Sequence, residues 1–229
     1  MAPAYHTSYP YLFEHLGQIY CVPETYQARE VSLYRAEEFP NRWVKVATLI
    51  EDLAGLDSTV FQHEGRWWLM ATDNDDGPNR KLKAWYASEL LGPWKPHAAN
   101  PVKVDARSAR PAGTPFMHNG HLYRPAQDSS REYGGRVILN RVLRLTPTEF
   151  REEQAVVIEP DEYGPYPDGL HTLSSVGDMT VIDGRKKVFA LKNLPVLMHN
   201  LRHVLELRMV QPLVRPLHAL AAKVHKNPS

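Results

Sequence analysis

YPYLFEHLGQIYCVPET (9–25), DSTVFQHEGRWWLMATD (57–73) and AGTPFMHNGHLYRPAQD (112–128) are three copies of one pattern. Each runs Phe-x-His-x-Gly-x-x-aromatic. The three sets are Phe13, His15, Gly17 and Tyr20, then Phe61, His63, Gly65 and Trp68, then Phe116, His118, Gly120 and Tyr123. A short apolar run, an x-Gly turn and a second aromatic run make a β-hairpin. A third strand-like run follows each hairpin: EVSLYRA (30–36), LKAWYAS (82–88) and RVILNRV (136–142). A fourth, such as WVKVATLI (43–50), closes the unit. Four strands recurring about every 50 residues mark a β-propeller blade. A degenerate fourth copy, MTVIDGRKKVFALK (179–192), sets Gly184 at the turn position of the same frame.

Working outward, residues 6–193 hold just under four such units, and residues 194–229 break the pattern. The expected fold is all-β: a five-bladed-type β-propeller, incomplete at about four blades, followed by a C-terminal α-helical tail. In that tail Leu197, Leu201, Val204, Leu205 and Arg208 fall at helical spacing, and Pro212 and Pro216 interrupt it. An arc of blades leaves strand edges unpaired, a liability that proteins cover. The tail, a second copy of the chain or another partner chain is expected to cover them. The tail is basic as well as amphipathic, so contact with a membrane surface is the lesser alternative.

Composition narrows function by exclusion. The 229 residues carry 27 Lys and Arg against 26 Asp and Glu, for a net charge of +1. No basic stripe interleaves with aromatics, so nucleic acid is not an expected partner. The single cysteine, Cys21, rules out an intrachain disulfide and any Cys-x-x-Cys metal site. The opening MAPAYHTSYPYLFEH lacks the layout of a secretory signal and no long apolar run follows, so the expected location is cytoplasmic.

Propeller topology sorts the polar residues. The His-x-Gly turns lie at the end of each blade away from the funnel mouth, so His15, His63 and His118 read as turn residues and not as a metal triad. No other ligand spacing argues for a metal or cofactor. Residues just before each Phe and just after each aromatic run face the mouth. There stand Tyr9, Asp57 and Ala112, with Glu24, Asp73 and Asp128 at the returning end. DARSARPAG (105–113) adds Asp105, Arg107 and Arg110, and DGLHTLSS (168–175) adds His171. Asp73 belongs to an acidic surface turn. The loop EYGPYPDG (162–169), with Tyr163 and Tyr166, could stack on a sugar ring or simply pack. Carboxylates, arginines and a histidine converging from different blades suit a sugar or phosphorylated sugar. Glycoside chemistry needs two carboxyls, one to protonate the leaving oxygen and one to activate water or attack carbon.

The same segments carry a family resemblance. HTSYPYLFEHLGQIYCVPET, LDSTVFQHEGRWWLMATD, LLGPWKPHAANPV, DARSARPAG, RPAQD and GLHT resemble the propeller domain at the N-terminal side of plant glucosamine inositolphosphorylceramide transferases. Similar domains accompany formyltransferase-like domains in bacterial proteins. The likeness runs over about residues 6–193 and extends distantly to the five-bladed propellers of arabinanases, xylosidases and invertases. It implies acidic rim positions at Glu24 (in VPET) and Asp57 (in LDSTVF) and rim arginines at Arg107 and Arg110 (in ARSARPAG). Asp128 (in RPAQD) and His171 (in GLHT) complete the later rim. Family propellers begin with a blade opening Ala-Asp-Pro-Phe, whereas this chain offers His6 and Ser8-Tyr9-Pro10, so the first carboxylate of that set is expected to be absent.

The functional expectation is therefore a carbohydrate-active propeller, glycosidase-like or glycosyltransferase-associated. Glu24, Asp57 and Asp128 would be its candidate catalytic carboxyls, and Asp105, Arg107, Arg110 and His171 would bind substrate. The alternative is a non-catalytic glycan-binding or scaffolding propeller completed by a partner chain.

Overall fold

The computed structural model describes residues 5–176 and 179–188. The anticipated helical tail, 194–229, lies outside the described residues. Among the described residues, fifteen strands form three antiparallel sheets of four or five strands and one two-stranded sheet, each sheet built from consecutive chain. The first blade comprises β1 (Ser8–His15), β2 (Gln18–Glu24), β3 (Glu30–Glu38) and β4 (Arg42–Glu51). The second comprises β5 (Gly55–His63), β6 (Arg66–Asp73) and β7 (Lys81–Ala87), with its outer edge divided between β8 (Lys95–Pro96) and β9 (Lys103–Val104), both paired to β7. The third comprises β10 (Phe116–His118), β11 (His121–Asp128), β12 (Arg136–Leu145) and β13 (Phe150–Ile158). A hairpin of β14 (Leu173–Val176) and β15 (Met179–Ile182) begins a fourth. The fold is that of a β-propeller, as the repeat predicts. Among the described residues no helix is long and apolar enough to cross a membrane.

The repeat frame explains the hairpins. In each of the first three, the two residues between the strands both have positive φ: Leu16 and Gly17, Glu64 and Gly65, Asn119 and Gly120. That is the two-residue turn whose twist matches the flanking strands. At Gly65, φ is +72°, and an added Cβ would meet nothing within 4 Å. Gly65→Ala therefore costs backbone strain alone. It should lower stability by about 1 kcal/mol in urea unfolding, with no change in ligand binding. The fourth hairpin departs from the expected frame. β14 and β15 pair Val176 with Met179, so the chain reverses there, and Gly184 lies beyond β15. The polar run Asp183-Gly184-Arg185 resembles a turn in sequence, but the apolar strand precedes it.

Alternation of side chains then packs blade on blade. In β6, Trp67, Leu69 and Ala71 face the first blade, joining Tyr11, Val22, Val31 and Leu33. Their neighbours Trp68 and Met70 face the third, joining Leu122, Val142 and Leu145. A smaller cluster of Ala112, Val137, Leu170 and Leu173 seats the fourth unit on the third. The second blade is thus covered on both faces, and β5 is buried over seven consecutive residues from Gly55 to Phe61. Each fully buried side chain of the size of Leu69 or Met70 contributes about 1.5–3 kcal/mol. His15 sits edge-on to Trp67 with ring centroids 4.9 Å apart, while His63 and His118 lie on their own turns beside Glu64 and Asn119.

One buried ionic group joins the second and third blades. The Arg124 guanidinium donates to both Glu152 carboxylate oxygens, at 2.9 and 2.6 Å, and to the carbonyls of Ser108 and Ala109. Lys103 adds a bond to Glu152 at 2.6 Å. Burial opposes ionisation of Glu152, yet Arg124 and Lys103 hold its carboxyl below the ordinary range. The carbonyls it grips belong to the segment that carries Arg110 to the funnel.

Candidate functional site

A β-bulge opens the funnel end of each of the first two inner strands. Pairing of β1 with β2 shifts between Ser8 and Tyr11, and pairing of β5 with β6 shifts between Leu56 and Thr59. The residue inside each bulge, Tyr9 at φ 42° and Asp57 at φ 48°, has left-handed backbone geometry. These are equivalent positions of the repeat, four residues ahead of Phe13 and Phe61. A bulge re-aims a side chain that regular alternation would send into the sheet face, and such strain gathers at functional sites.

Both residues line a cavity of about 530 Å³, with Ser8, Glu24, Arg110, Thr114, Tyr133, His171 and Ser174 among its other walls. Arg110, 8% exposed, is its hub. Its Nε donates to Asp57 Oδ2 at 2.6 Å and its Nη1 to Asn79 Oδ1 at 3.1 Å. Its Nη2 lies 3.7 Å from Glu24 Oε2, and the guanidinium stands 5.0 Å from the centre of the Tyr133 ring. Asp57 Oδ2 accepts a second bond from Gln127 Nε2 at 2.5 Å. Glu24 accepts from the Ser8 hydroxyl at 2.8 Å and from the Asp57 amide at 3.1 Å. Burial first, and the Asp57 charge second, push the Glu24 carboxyl above the ordinary glutamate value. Burial and the same charge also raise the Tyr9 hydroxyl. The cavity thus offers one carboxylate locked in an ion pair, one carboxyl raised by burial, a cation and three tyrosine rings.

The far wall comes from the fourth unit. His171 Nδ1 pairs with the Asp183 carboxylate, which also accepts the His171 and Thr172 amides at 2.9 and 2.7 Å. Burial works against that charge, but the His171 ring and the two amides hold Asp183 well below the usual carboxylate range. The His171 ring meets Tyr133 at 5.6 Å. Arg185 clamps the loop bearing Tyr133: it donates to the carbonyls of Tyr133 and Asp168, each at 2.7 Å, and pairs with Glu132 at 2.9 Å. Arg185→Met should free this loop. Hydrogen exchange at Leu170 is expected to speed by about tenfold or more, because the Leu170 amide donates to the Gly134 carbonyl.

Of the residues singled out in sequence, Glu24, Asp57, Arg110 and His171 share this cavity. Asp128, Asp105 and Arg107 are not among its walls. Asp128 accepts from the Ser130 hydroxyl and amide and from Arg136. Burial disfavours its charge, but those bonds keep its carboxyl below the ordinary range. Asp105 caps its own turn through the Arg107 amide and Ser108 hydroxyl, and Arg107 folds back onto it, 69% exposed. Asp73 pairs with Lys83 at 2.8 Å. Tyr163 and Tyr166 are exposed and stand apart from the walls. Gln127, Asn79, Tyr133 and Asp183 take part without having been singled out.

Stacked four-stranded blades with a polar cavity where their inner strands begin define a β-propeller. Solved structures with this architecture include a GH43 β-xylosidase/α-arabinofuranosidase from a compost microbial metagenome. It is 12% identical, with a TM-score of 0.53 over 78% of this chain and 70% of that one. Another is the Bacteroides ovatus xyloglucan-locus protein GH43B, 17% identical, with a TM-score of 0.51 over 77% of this chain and 35% of that one. At these identities the likeness is one of fold.

Sequence comparison is more particular. Residues 1–164 match the family described as glucosamine inositolphosphorylceramide transferase 1, N-terminal, and the chain belongs to that family. Glucosamine inositolphosphorylceramide transferase 1 of Oryza sativa subsp. japonica is 40% identical over 154 residues, and that of Arabidopsis thaliana 39%. The match spans 65% of this chain but only about a fifth of those relatives. His171 and Asp183 lie beyond the matched residues.

Proposed function

We propose that this propeller binds a sugar or sugar conjugate in the cavity bounded by Tyr9, Glu24, Arg110, Tyr133 and His171. The observation that carries the reading is the convergence of three tyrosine rings with a cation, a carboxyl and several hydroxyls on one concave surface. Sugars present apolar C–H faces and equatorial hydroxyls together, and such a surface meets both. Membership of a glycosyltransferase-associated family supports a carbohydrate role.

Binding is favoured over hydrolysis on a specific ground. Asp57, the best placed second carboxylate, has one oxygen committed to Arg110 and Gln127, so it is bonded as a structural anion and not poised as a base or nucleophile. Calorimetric titration with glucose, galactose, glucosamine and myo-inositol tests the proposal. Saturable binding of at least one is expected, weakened about tenfold or more in Tyr133→Ala and His171→Ala, an effect of roughly 1.4 kcal/mol. Absence of binding by all four, or affinities that both variants leave unchanged, would overturn it. Turnover of aryl glycosides that Glu24→Gln abolishes would restore the hydrolytic reading.

A further inference from the structure

Tyr133 and His171 form a wall shared by the first cavity and a second one of about 350 Å³, which Asp183 and Gly184 also line. The His171 ring in this wall is held in one orientation. Its Nδ1 pairs with the Asp183 carboxylate, and that carboxylate is itself fixed by the His171 and Thr172 amides at 2.9 and 2.7 Å. With Nδ1–H given to Asp183, the neutral ring keeps its lone pair on Nε2. Nε2 has no hydrogen bond among the described residues, and the side chain is 34% exposed, so the ring is open to water. Beside it stands the Tyr133 ring, its centroid 5.6 Å away. Burial pushes the Tyr133 hydroxyl above its ordinary value, with Arg110 working against that shift, so the hydroxyl remains a proton donor. An oriented base and a hydroxyl donor thus flank one concave wall.

We infer that this wall is an ester-hydrolysing centre. His171 is the general base that activates water, Asp183 is its positioning residue, and Tyr133 is the donor to the oxyanion. The substrate is an O-acyl ester whose alcohol part occupies the first cavity. Atoms and electrons balance with water as the only co-reactant. The water oxygen bonds to the acyl carbon as its proton passes to His171 Nε2, and the carbonyl electron pair moves onto an oxygen that the Tyr133 hydroxyl stabilises. Collapse of that intermediate breaks the bond from the acyl carbon to the alcohol oxygen. The departing alkoxide takes the proton from Nε2, leaving acid, alcohol and the original His171–Asp183 pair. Only the placement of the alcohol part rests on the proposed sugar site.

Hydrolysis of 4-nitrophenyl acetate and of glucose pentaacetate by the full chain tests the inference. Saturable turnover of both is expected, slower in deuterium oxide because a proton moves in the step. His171→Ala should lower kcat/KM by about a hundredfold, to the floor set by the ten remaining histidines. Added imidazole should restore part of that loss, which it would not do for a chain that had merely lost structure. Asp183→Asn should lower kcat by about a hundredfold, since the ring loses the partner that fixes its tautomer. Tyr133→Phe keeps the ring and should lower kcat by about tenfold or more with KM little changed. No saturable turnover of either ester, or a rate that His171→Ala leaves intact, would overturn the inference. So would a loss in His171→Ala that imidazole fails to repair while Tyr133→Phe keeps the full kcat, because His171 would then be structural. Turnover of the aryl ester but not of the sugar ester sustains the centre and refutes its link to the sugar site. Sugar binding by calorimetry with no turnover of either ester refutes the centre and leaves the sugar site standing.

Discussion

Asp57→Asn is expected to destabilise the fold by about 3 kcal/mol and to abolish ligand binding together. Breaking a buried pair from one side costs about 3–5 kcal/mol, because the remaining charge stays desolvated. The Asp57 and Arg110 side chains are 4% and 10% exposed. Glu24 at 3.7 Å retains part of the compensation for Arg110, which places the loss at the lower end. Asparagine keeps the shape and tolerates the positive φ at this position, so the change reads out charge and not backbone strain. Urea unfolding measures the first effect through the transition midpoint. A carboxyl titration followed by NMR measures a second. Without the Asp57 charge, Glu24 should titrate lower than in the wild type while remaining above an ordinary glutamate, because burial is the larger cause of its shift.

The sign of the pH dependence follows from that shift. A carboxyl whose value is raised on folding favours the folded state at low pH, and that contribution is lost as pH climbs through the folded value. Asp183 and Glu152 run the other way: held low in the folded protein, they stabilise above the unfolded carboxylate value and stop doing so as pH falls.

Gly113→Ala should cost about 3 kcal/mol or more and should detach the fourth unit selectively. At φ +129° an L side chain is strained, and its Cβ would lie 1.8 Å from the Leu173 carbonyl oxygen. The obstacle is backbone, which cannot rotate aside. The Leu173 amide bonds the Ala112 carbonyl at 2.7 Å, so this contact is the hinge on which β14 and His171 are hung. Hydrogen exchange is the discriminating measurement: protection should vanish at Leu173 and Leu170 while β5 to β7 stay protected. A loss no larger than the 1 kcal/mol expected of Gly65→Ala, where space is open, would show that the fourth unit is not seated through Gly113.

The repeat made much of this legible. Phe-x-His-x-Gly fixed three hairpins, and counting back four residues from Phe13 and Phe61 reached both bulge residues. Glu24 stands eleven residues after Phe13 and Arg110 in DARSARPAG just ahead of the third copy, so the frame puts both at the mouth, where they line the cavity. Asp128 was misplaced by one step of strand alternation. Neighbouring strand residues point to opposite faces. The β11 register sends Gln127 to Asp57 and Asp128 to Arg136. Tyr133 and Asn79 sit in loops that the repeat does not index, and their partner Arg110 is 23 and 31 positions away along the chain. Asp183 was overlooked for a related reason: the frame assigned it to a turn beside Gly184, whereas the hairpin ends before it and frees it to hold His171.

An amide chemical-shift titration of the full chain with the tightest sugar found by calorimetry tests the central claim most directly. Saturable shifts are expected at Ser8, Glu24, Asp57, Tyr133, His171 and Thr172, with none at Gly17, Gly65 and Gly120 at the far ends of the hairpins. Shifts confined to those turns, or no shifts at millimolar sugar, would contradict a sugar site at the funnel mouth.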